Sequence, residues 1–178
     1  AQLGVLIKGG AALETAHKVS AIAFDKTGTL THGKPVVTDL LRVDDACAQL
    51  DLDERAFFTL VGAAESASEH PLGRAIHAHA LRALADAPAT ATAAAAAALP
   101  QPREYQAIPG RGLSCRVGEF GVYIGNRLLM GDHAFAIPER VERYMTSLEE
   151  QGKTCMLVAL LRDSDGSSHH HPPPPATT

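Results

Sequence analysis

The chain has 178 residues, of which 46% are hydrophobic and 20% are charged, and its formal net charge is −4. This is enough apolar sequence for one medium domain with a fragment of another. Acidic and basic residues are interspersed, so we expect no nucleic-acid partner. No apolar run approaches the roughly 20 residues of a membrane-spanning helix. The three cysteines form no CxxC pair and are predicted to be reduced thiols.

The first forty residues favour an α/β arrangement. A short helix is expected over residues 11–18, and a β-like run over 19–24 then stops at Asp25. In α/β sheets, chemistry is placed where a buried strand delivers a side chain to its carboxyl end. Residues 35–43 are predicted to leave this region as an extended segment.

The next region, residues 39–162, is predicted to be an α+β domain in which a two-helix layer packs on an antiparallel sheet. The helices are expected over 53–66, capped by Asp51 or Asp53, and over 71–85. Glycines separate three short β-like pieces, as in a meander. These pieces cover residues 104–108, 113–117 and 122–124.

The end of this region is predicted to hold one more helix and one more strand. Pro138 opens the helix and Gly152 ends it, and the strongly apolar run 154–161 is expected to be a central strand of the sheet. An Ala- and Pro-rich insertion interrupts the domain at 86–103. The Ser-, His- and Pro-rich tail, 163–178, is predicted to be disordered.

The sharpest motif is DKTGTLT, from Asp25 to Thr31. A carboxylate can accept a phosphoryl group because the acyl phosphate that it forms is itself reactive. Lys26 adds positive charge, Thr27 supplies a hydroxyl, and Gly28 permits a tight turn whose N–H groups can face a phosphate. An isolated Asp in a turn is usually only a cap. The complete string after a β-like run favours catalysis.

DKTGTLT resembles the phosphorylation signature of P-type ATPases, whose catalytic domain has the haloacid-dehalogenase-like fold. The resemblance implies that Asp25 forms an aspartyl phosphate. Related phosphatases carry a second Asp two residues after the nucleophile, where this chain has Thr27, so a simple phosphatase is disfavoured. VLIKGGAALE, THGKP and SEHPLGRAI are similar to segments of the heavy-metal class, with Cu(I) as the favoured cargo.

The same resemblance implies a nucleotide site in the second region. Carried over motif by motif, its residues are Glu65, His70, Gly110, Gly112, Gly125 and Asn126. Glycines let backbone approach a flat ring or a phosphate, and a Glu carboxylate can accept a hydrogen bond from an adenine amino group. Taken singly, each residue is more often a turn glycine, a helix-start His or a solvated Glu. Their shared order favours ATP binding.

The resemblance further implies ATP and Mg²⁺ as cofactors, with Asp25 a Mg²⁺ ligand only together with residues outside this chain. Thr-Gly-Asp and Gly-Asp-Gly-x-Asn-Asp elements, expected to complete the phosphorylation domain, do not occur in the sequence. We therefore expect an incomplete haloacid-dehalogenase-like part over residues 1–38. The chain alone would then be inactive as an enzyme.

Two functions stay open. The first is the ATP-handling portion of a copper-type pump at the cytosolic face of a membrane, with a copper chaperone as a further partner. The alternative is a truncated, non-catalytic nucleotide-binding module. Membrane helices and a Cys-Pro-Cys element upstream would favour the pump.

Overall fold

The computed structural model describes residues 10–26, 28–43, 49–86 and 99–162. These belong to two compact units, residues 1–34 and residues 35–178. Thr27 and the tail 163–178 lie outside the described residues, and so does most of the predicted insertion.

The first unit contains helix α1, Gly10–Ala16, close to the helix predicted there. The prediction of a strand over residues 19–24 is wrong, because these residues have no regular structure. A strand needs a hydrogen-bonded neighbour, and residues 19–24 pair with none of the described residues. Their apolar side chains are exposed, with Ile22 70% and Phe24 63% accessible.

The second unit begins its regular structure with two helices, as predicted. Helix α2 spans Glu54–Glu65, and helix α3 spans Pro71–Asp86. Asp53 is the N-cap of α2, since its Oδ1 accepts a hydrogen bond from the Ala56 N–H at 2.6 Å. The N-terminal boundaries therefore follow from local chemistry, a capping carboxylate for α2 and a first-turn proline for α3.

The sheet has four antiparallel strands in the order β1-β2-β3-β4. They are Arg103–Ile108 (β1), Gly112–Val117 (β2), Phe120–Gly125 (β3) and Leu157–Arg162 (β4). The predicted meander is thus confirmed. The expectation that the last strand is central is wrong, because β4 pairs only with β3 among the described residues. Val158 and Leu160 of β4 pack against the core, whereas Leu161 is exposed. The apolar side chains of β4 therefore bury one face of an edge strand.

The core lies between the helical layer and the sheet. Val122 and Ile124 of β3 and Ala63 of α2 have no exposed surface. The two helices approach closely, since a Cβ built on Gly62 would lie 3.1 Å from the Ala80 Cβ. This contact holds the two helices together as one layer, in which α2 contacts β2 and β3 of the sheet.

Two further helices flank the strands. Helix α4, Arg127–Asp132, follows β3, and helix α5, Glu139–Glu149, follows Pro138 as predicted. Sequence reasoning missed α4, which at six residues is too short to show helical periodicity. Its position matters because Asn126 is its N-cap.

Candidate functional site

The described residues of the DKTGTLT segment, 25–26 and 28–31, form a tight turn. The backbone N–H groups of Leu30 and Thr31 donate to the Lys26 carbonyl at 3.1 and 3.0 Å, and the Thr31 hydroxyl donates to it at 3.2 Å. Gly28 lies in the left-handed region with φ +83°, which a glycine adopts without steric cost. Asp25 is exposed at the start of this turn, so its carboxylate is open to approach.

Glu65 ends α2 and is buried, with only 3% of its surface exposed. Burial raises the pKa of its carboxyl, a shift opposed by a hydrogen bond with Ser68 and by the charge of His77. Its Oε2 atom has no hydrogen-bond partner in the described structure. An unsatisfied buried acceptor costs about 1–3 kcal/mol, and such an atom in a native fold calls for an explanation.

His70 precedes α3 and lies at the surface. Its Nδ1 accepts a hydrogen bond from the Leu72 N–H at 3.2 Å, which assigns the other ring nitrogen, Nε2, as the N–H in a neutral imidazole. A short turn joins Glu65 to His70, and within it the Ser68 N–H donates to the Glu65 carbonyl at 3.0 Å. Both residues thus occupy adjoining helix ends.

The predicted glycines shape the other part of the site. Gly110 lies in the β1–β2 turn with φ +71°, and Gly112 opens β2 with φ +145°. Gly112 pairs with Gly125 across the β2–β3 ladder, where a Cβ on Gly112 would lie 2.1 Å from the Ile124 carbonyl oxygen. A Cβ on Gly125 would lie 2.2 Å from the Arg111 carbonyl oxygen. Neither position has room for a side chain.

Asn126 ties this glycine loop to α4. Its Nδ2 donates to the Gly110 carbonyl at 2.8 Å, and its backbone N–H donates to the Arg111 carbonyl at 2.9 Å. Its Oδ1 accepts from the N–H groups of Leu128 and Leu129 at 3.1 and 3.2 Å. The side chain therefore braces the loop, and an ion pair between Arg111 and Asp132 holds the same loop from outside.

The structure thus brings Gly110, Gly112, Gly125 and Asn126 into one cluster and places Glu65 and His70 at the ends of the helical layer. One participant was missed by sequence reasoning. Ser68 lies beside the Glu65 carboxyl, since its Oγ and the Glu65 Oε2 would lie 2.2 and 2.3 Å from a Cβ built on Gly73. Ser68 stands inside the SEHPLGRAI segment, so proximity in sequence could have suggested it.

Within residues 10–26, 28–43, 49–86 and 99–162, no three His, Cys, Asp or Glu side chains are grouped to hold a metal ion. None of the helices in those ranges combines the length and apolar character needed to cross a bilayer.

Comparison with known proteins agrees with the motifs. A family model described as haloacid dehalogenase-like hydrolase matches residues 19–177. The chain is 42% identical over 163 residues to a copper-transporting ATPase of Arabidopsis thaliana, covering 88% of this chain and 16% of that protein. It is 40% identical over 159 residues to a probable copper-exporting P-type ATPase of Archaeoglobus fulgidus, covering 89% and 17%.

A solved structure gives the corresponding similarity in fold. The crystal structure of a zinc-transporting PIB-type ATPase aligns with a TM-score of 0.61 and 32% identity, covering 87% of this chain and 22% of that one. The chain spans about a sixth of the length of the two copper-transporting relatives.

Proposed function

Because the chain belongs to the haloacid dehalogenase-like hydrolase family, we propose that it is the ATP-handling portion of a heavy-metal-transporting P-type ATPase. In this proposal the second unit binds the nucleotide and Asp25 of the first unit accepts its terminal phosphoryl group. The order of motifs and the similarity to copper-transporting ATPases support the assignment.

One observation carries nucleotide binding: the buried Glu65 carboxyl keeps an acceptor atom without a partner. An adenine ring offers an exocyclic amino group of the kind that donates to a carboxylate, so the chemistry of Glu65 fits the ligand. His70 is exposed beside this residue, free to stack on or orient the ring. Gly110 and Gly112 would let backbone approach the ring or a phosphate, and Gly125 and Asn126 would keep that loop in shape.

At Asp25 the proposed chemistry is a phosphoryl transfer. A carboxylate oxygen of Asp25 forms a bond to the γ-phosphorus, the bond from that phosphorus to the β,γ-bridging oxygen breaks, and ADP leaves with the electron pair. Lys26 would offset negative charge at the transferred group, and Thr27 would donate a hydroxyl hydrogen bond. Water later hydrolyses the aspartyl phosphate and restores the carboxylate.

Mg²⁺ fits this chain only in part. When bound, it would offset phosphate charge. Asp25 would supply one ligand, but the described residues contain no group of three metal-binding side chains. The remaining Mg²⁺ ligands would come from other parts of the whole protein.

For the whole protein we propose Cu(I) as cargo. The identity to copper-transporting relatives, 42% and 40%, exceeds the 32% identity to the zinc-transporting structure. The cargo would be bound by membrane helices outside this chain and delivered by a copper chaperone. The 178 residues would then lie at the cytosolic face of the membrane.

Titration of the chain with ATP or ADP, followed by amide NMR, tests nucleotide binding. We expect shifts at Glu65, His70 and the glycine loop. His70→Gln should weaken binding about tenfold, the effect of one lost hydrogen bond or stacking contact, without lowering the unfolding temperature. His17→Gln, at another exposed His, is the matched control. Shifts confined to other residues would refute the site.

The alternative, a non-catalytic nucleotide-binding module, predicts the same nucleotide binding but a different reading frame. The full reading frame therefore distinguishes the two functions. Membrane helices with a Cys-Pro-Cys element in the frame support the pump, whereas a frame that encodes only these 178 residues supports the module.

A further inference from the structure

Arg111 stands between the two glycines of the loop that joins β1 to β2, and its backbone is held on both sides. Its N–H donates to the Ile108 carbonyl at 3.0 Å, and its own carbonyl accepts a hydrogen bond from the Asn126 N–H at 2.9 Å. Gly125 packs against the same carbonyl, because a Cβ built there would lie 2.2 Å from its oxygen. Backbone contacts therefore shape the loop and fix the point from which the Arg111 side chain extends.

The Arg111 side chain makes one ion pair in the part of the chain that the structure describes. Its Nη1 donates to Oδ2 of Asp132, the last residue of α4. The two side chains keep 32% and 37% of their surface exposed. A guanidinium carries five N–H donors in a planar fork. The Nε and Nη2 donors of Arg111 have no partner among the described residues, so the guanidinium can bind a further anion.

Arg127, in the first turn of α4, shows the opposite case. Its Nε donates to Glu142 at 2.5 Å, and its Nη1 and Nη2 donate to the two carboxylate oxygens of Glu149 at 2.7 and 3.1 Å. All three nitrogens are thus engaged by α5, and this arginine joins two helices. Arg111 has one carboxylate where Arg127 has two, so its donors exceed those that the described fold uses.

We propose that Arg111 binds the phosphate tail of the nucleotide, and that Asp132 is the counter-ion that the guanidinium exchanges for phosphate. The inference rests on the proposed function, and it concerns the phosphates, whereas the role of Glu65 concerns the base. It gives roles to two residues that the motifs leave unassigned. Arg111 distinguishes nucleotides from the bare nucleoside, and Asp132 limits how strongly it does so.

The exchange follows from the charges of the two partners. Asp132 offers one negative charge, whereas the tail of ADP or ATP offers several and presents pairs of oxygens that match two parallel N–H donors. An ion pair between side chains this exposed contributes little to stability, so leaving Asp132 costs little. Gly110 and Gly112 flank Arg111 and carry no side chain that would keep a phosphate from the loop.

The test compares the dissociation constants of adenosine, ADP and ATP, measured by amide NMR titration of the complete chain. For Arg111→Gln we expect ADP and ATP to bind about tenfold more weakly, the effect of one lost charged hydrogen bond, while adenosine binding changes less than about twofold. Arg111→Lys keeps the charge without the planar fork and should recover part of the loss. Arg143→Gln is the matched control, because Arg143 is an exposed arginine paired with a single carboxylate, that of Glu139, at 3.8 Å.

A double substitution tests the role of Asp132. Because this carboxylate competes with phosphate for the guanidinium, Asp132→Asn should strengthen ATP binding about threefold. In the Arg111→Gln background the same change should have no effect, since no guanidinium is left to release. A gain that persists in full without Arg111, or weaker ATP binding in Asp132→Asn, would overturn the exchange. Glu139→Gln, alone and with Arg143→Gln, is the matched control.

The side-chain resonance of Arg111 gives a second readout in the unaltered chain. Its Nε–H signal should shift when ADP is added and stay in place when adenosine is added, because only the phosphates change its hydrogen bonding. The Nε–H signal of Arg127, whose nitrogen already donates to Glu142 at 2.5 Å, should stay in place with both ligands. A merely structural role for Arg111 would leave its signal unchanged as well.

The outcomes separate the two proposals. Failure of the unaltered chain to bind ATP would overturn the proposed function and this inference with it. ATP binding that is unchanged in Arg111→Gln, or that weakens together with adenosine binding, would overturn the inference alone. The second of these results would mean that the ion pair with Asp132 only braces the glycine loop. If Arg111→Gln does not fold, the Nε–H signal of the unaltered chain decides.

Discussion

The two units of the chain differ in how much of their apolar surface is packed. Every residue from 10 to 34 whose exposure is described is exposed, including the apolar side chains of Ile22 and Phe24. Among the described residues, the buried hydrophobic side chains lie between Phe57 and Met145, all in the second unit. The clearest sequence motif is therefore in the less packed region.

This contrast shows which features each region can build from its own residues. The turn after Asp25 needs only local hydrogen bonds to the Lys26 carbonyl, so it forms without a core. A strand needs a neighbour, and residues 19–24 have none among the described residues. The second unit supplies its own neighbours, because its strands pair in sequence and bury one face under α2 and α3.

The largest expected effect concerns phosphorylation of the chain by ATP. Phosphoryl transfer depends on positioning and charge stabilisation, and a site with few organised groups loses nearly all of its rate. We expect no detectable phosphoenzyme when the 178-residue chain is incubated with radiolabelled ATP and Mg²⁺. A label that is stable to acid and disappears in Asp25→Asn would contradict this expectation, since it would show a competent phosphorylation site in the less packed region.

A paired substitution tests the difference in packing directly. Ile124→Ala removes a side chain that has no exposed surface, and it should lower the free energy of unfolding by about 3 kcal/mol through lost burial and a cavity. Ile22→Ala removes the same atoms from a residue that is 70% exposed, and it should change this free energy by no more than about 0.5 kcal/mol. Urea unfolding of both variants gives the comparison. A similar loss in both would mean that Ile22 is packed in solution.

The sequence predicted most of the second unit because its signals are local. The Asp53 cap, Pro71 in the first turn of α3, and glycines between short strands each specify a boundary through their own chemistry. The edge position of β4 and the packing of Tyr105 against the core depend on which residues distant in sequence come together. Hydrophobic pattern alone gives neither. The sequence also suggested Asn126 as a site residue but not how it acts, since its bonds to the glycine loop require the fold.

The smallest expected effect is that of the Glu65 charge on the melting temperature. Removing this charge separates nucleotide binding from stability within the packed region. Burial raises the pKa of this carboxyl, so the folded state binds a proton more tightly than the unfolded state does. The stabilising contribution of that proton is complete below the unfolded pKa, near 4.3, and is lost as pH rises through the raised folded value. Glu65→Gln keeps the shape without the charge. Its melting temperature should therefore exceed that of the unaltered chain at pH 7, and the difference should shrink towards pH 4. Glu69→Gln, at an exposed position, should show no such trend.

ATP affinity should fall in Glu65→Gln even as stability rises, because a neutral amide oxygen is a weaker acceptor than a carboxylate. A melting temperature that drops at pH 7 would show that the buried charge is compensated by protein groups, which would leave no unsatisfied acceptor for the nucleotide.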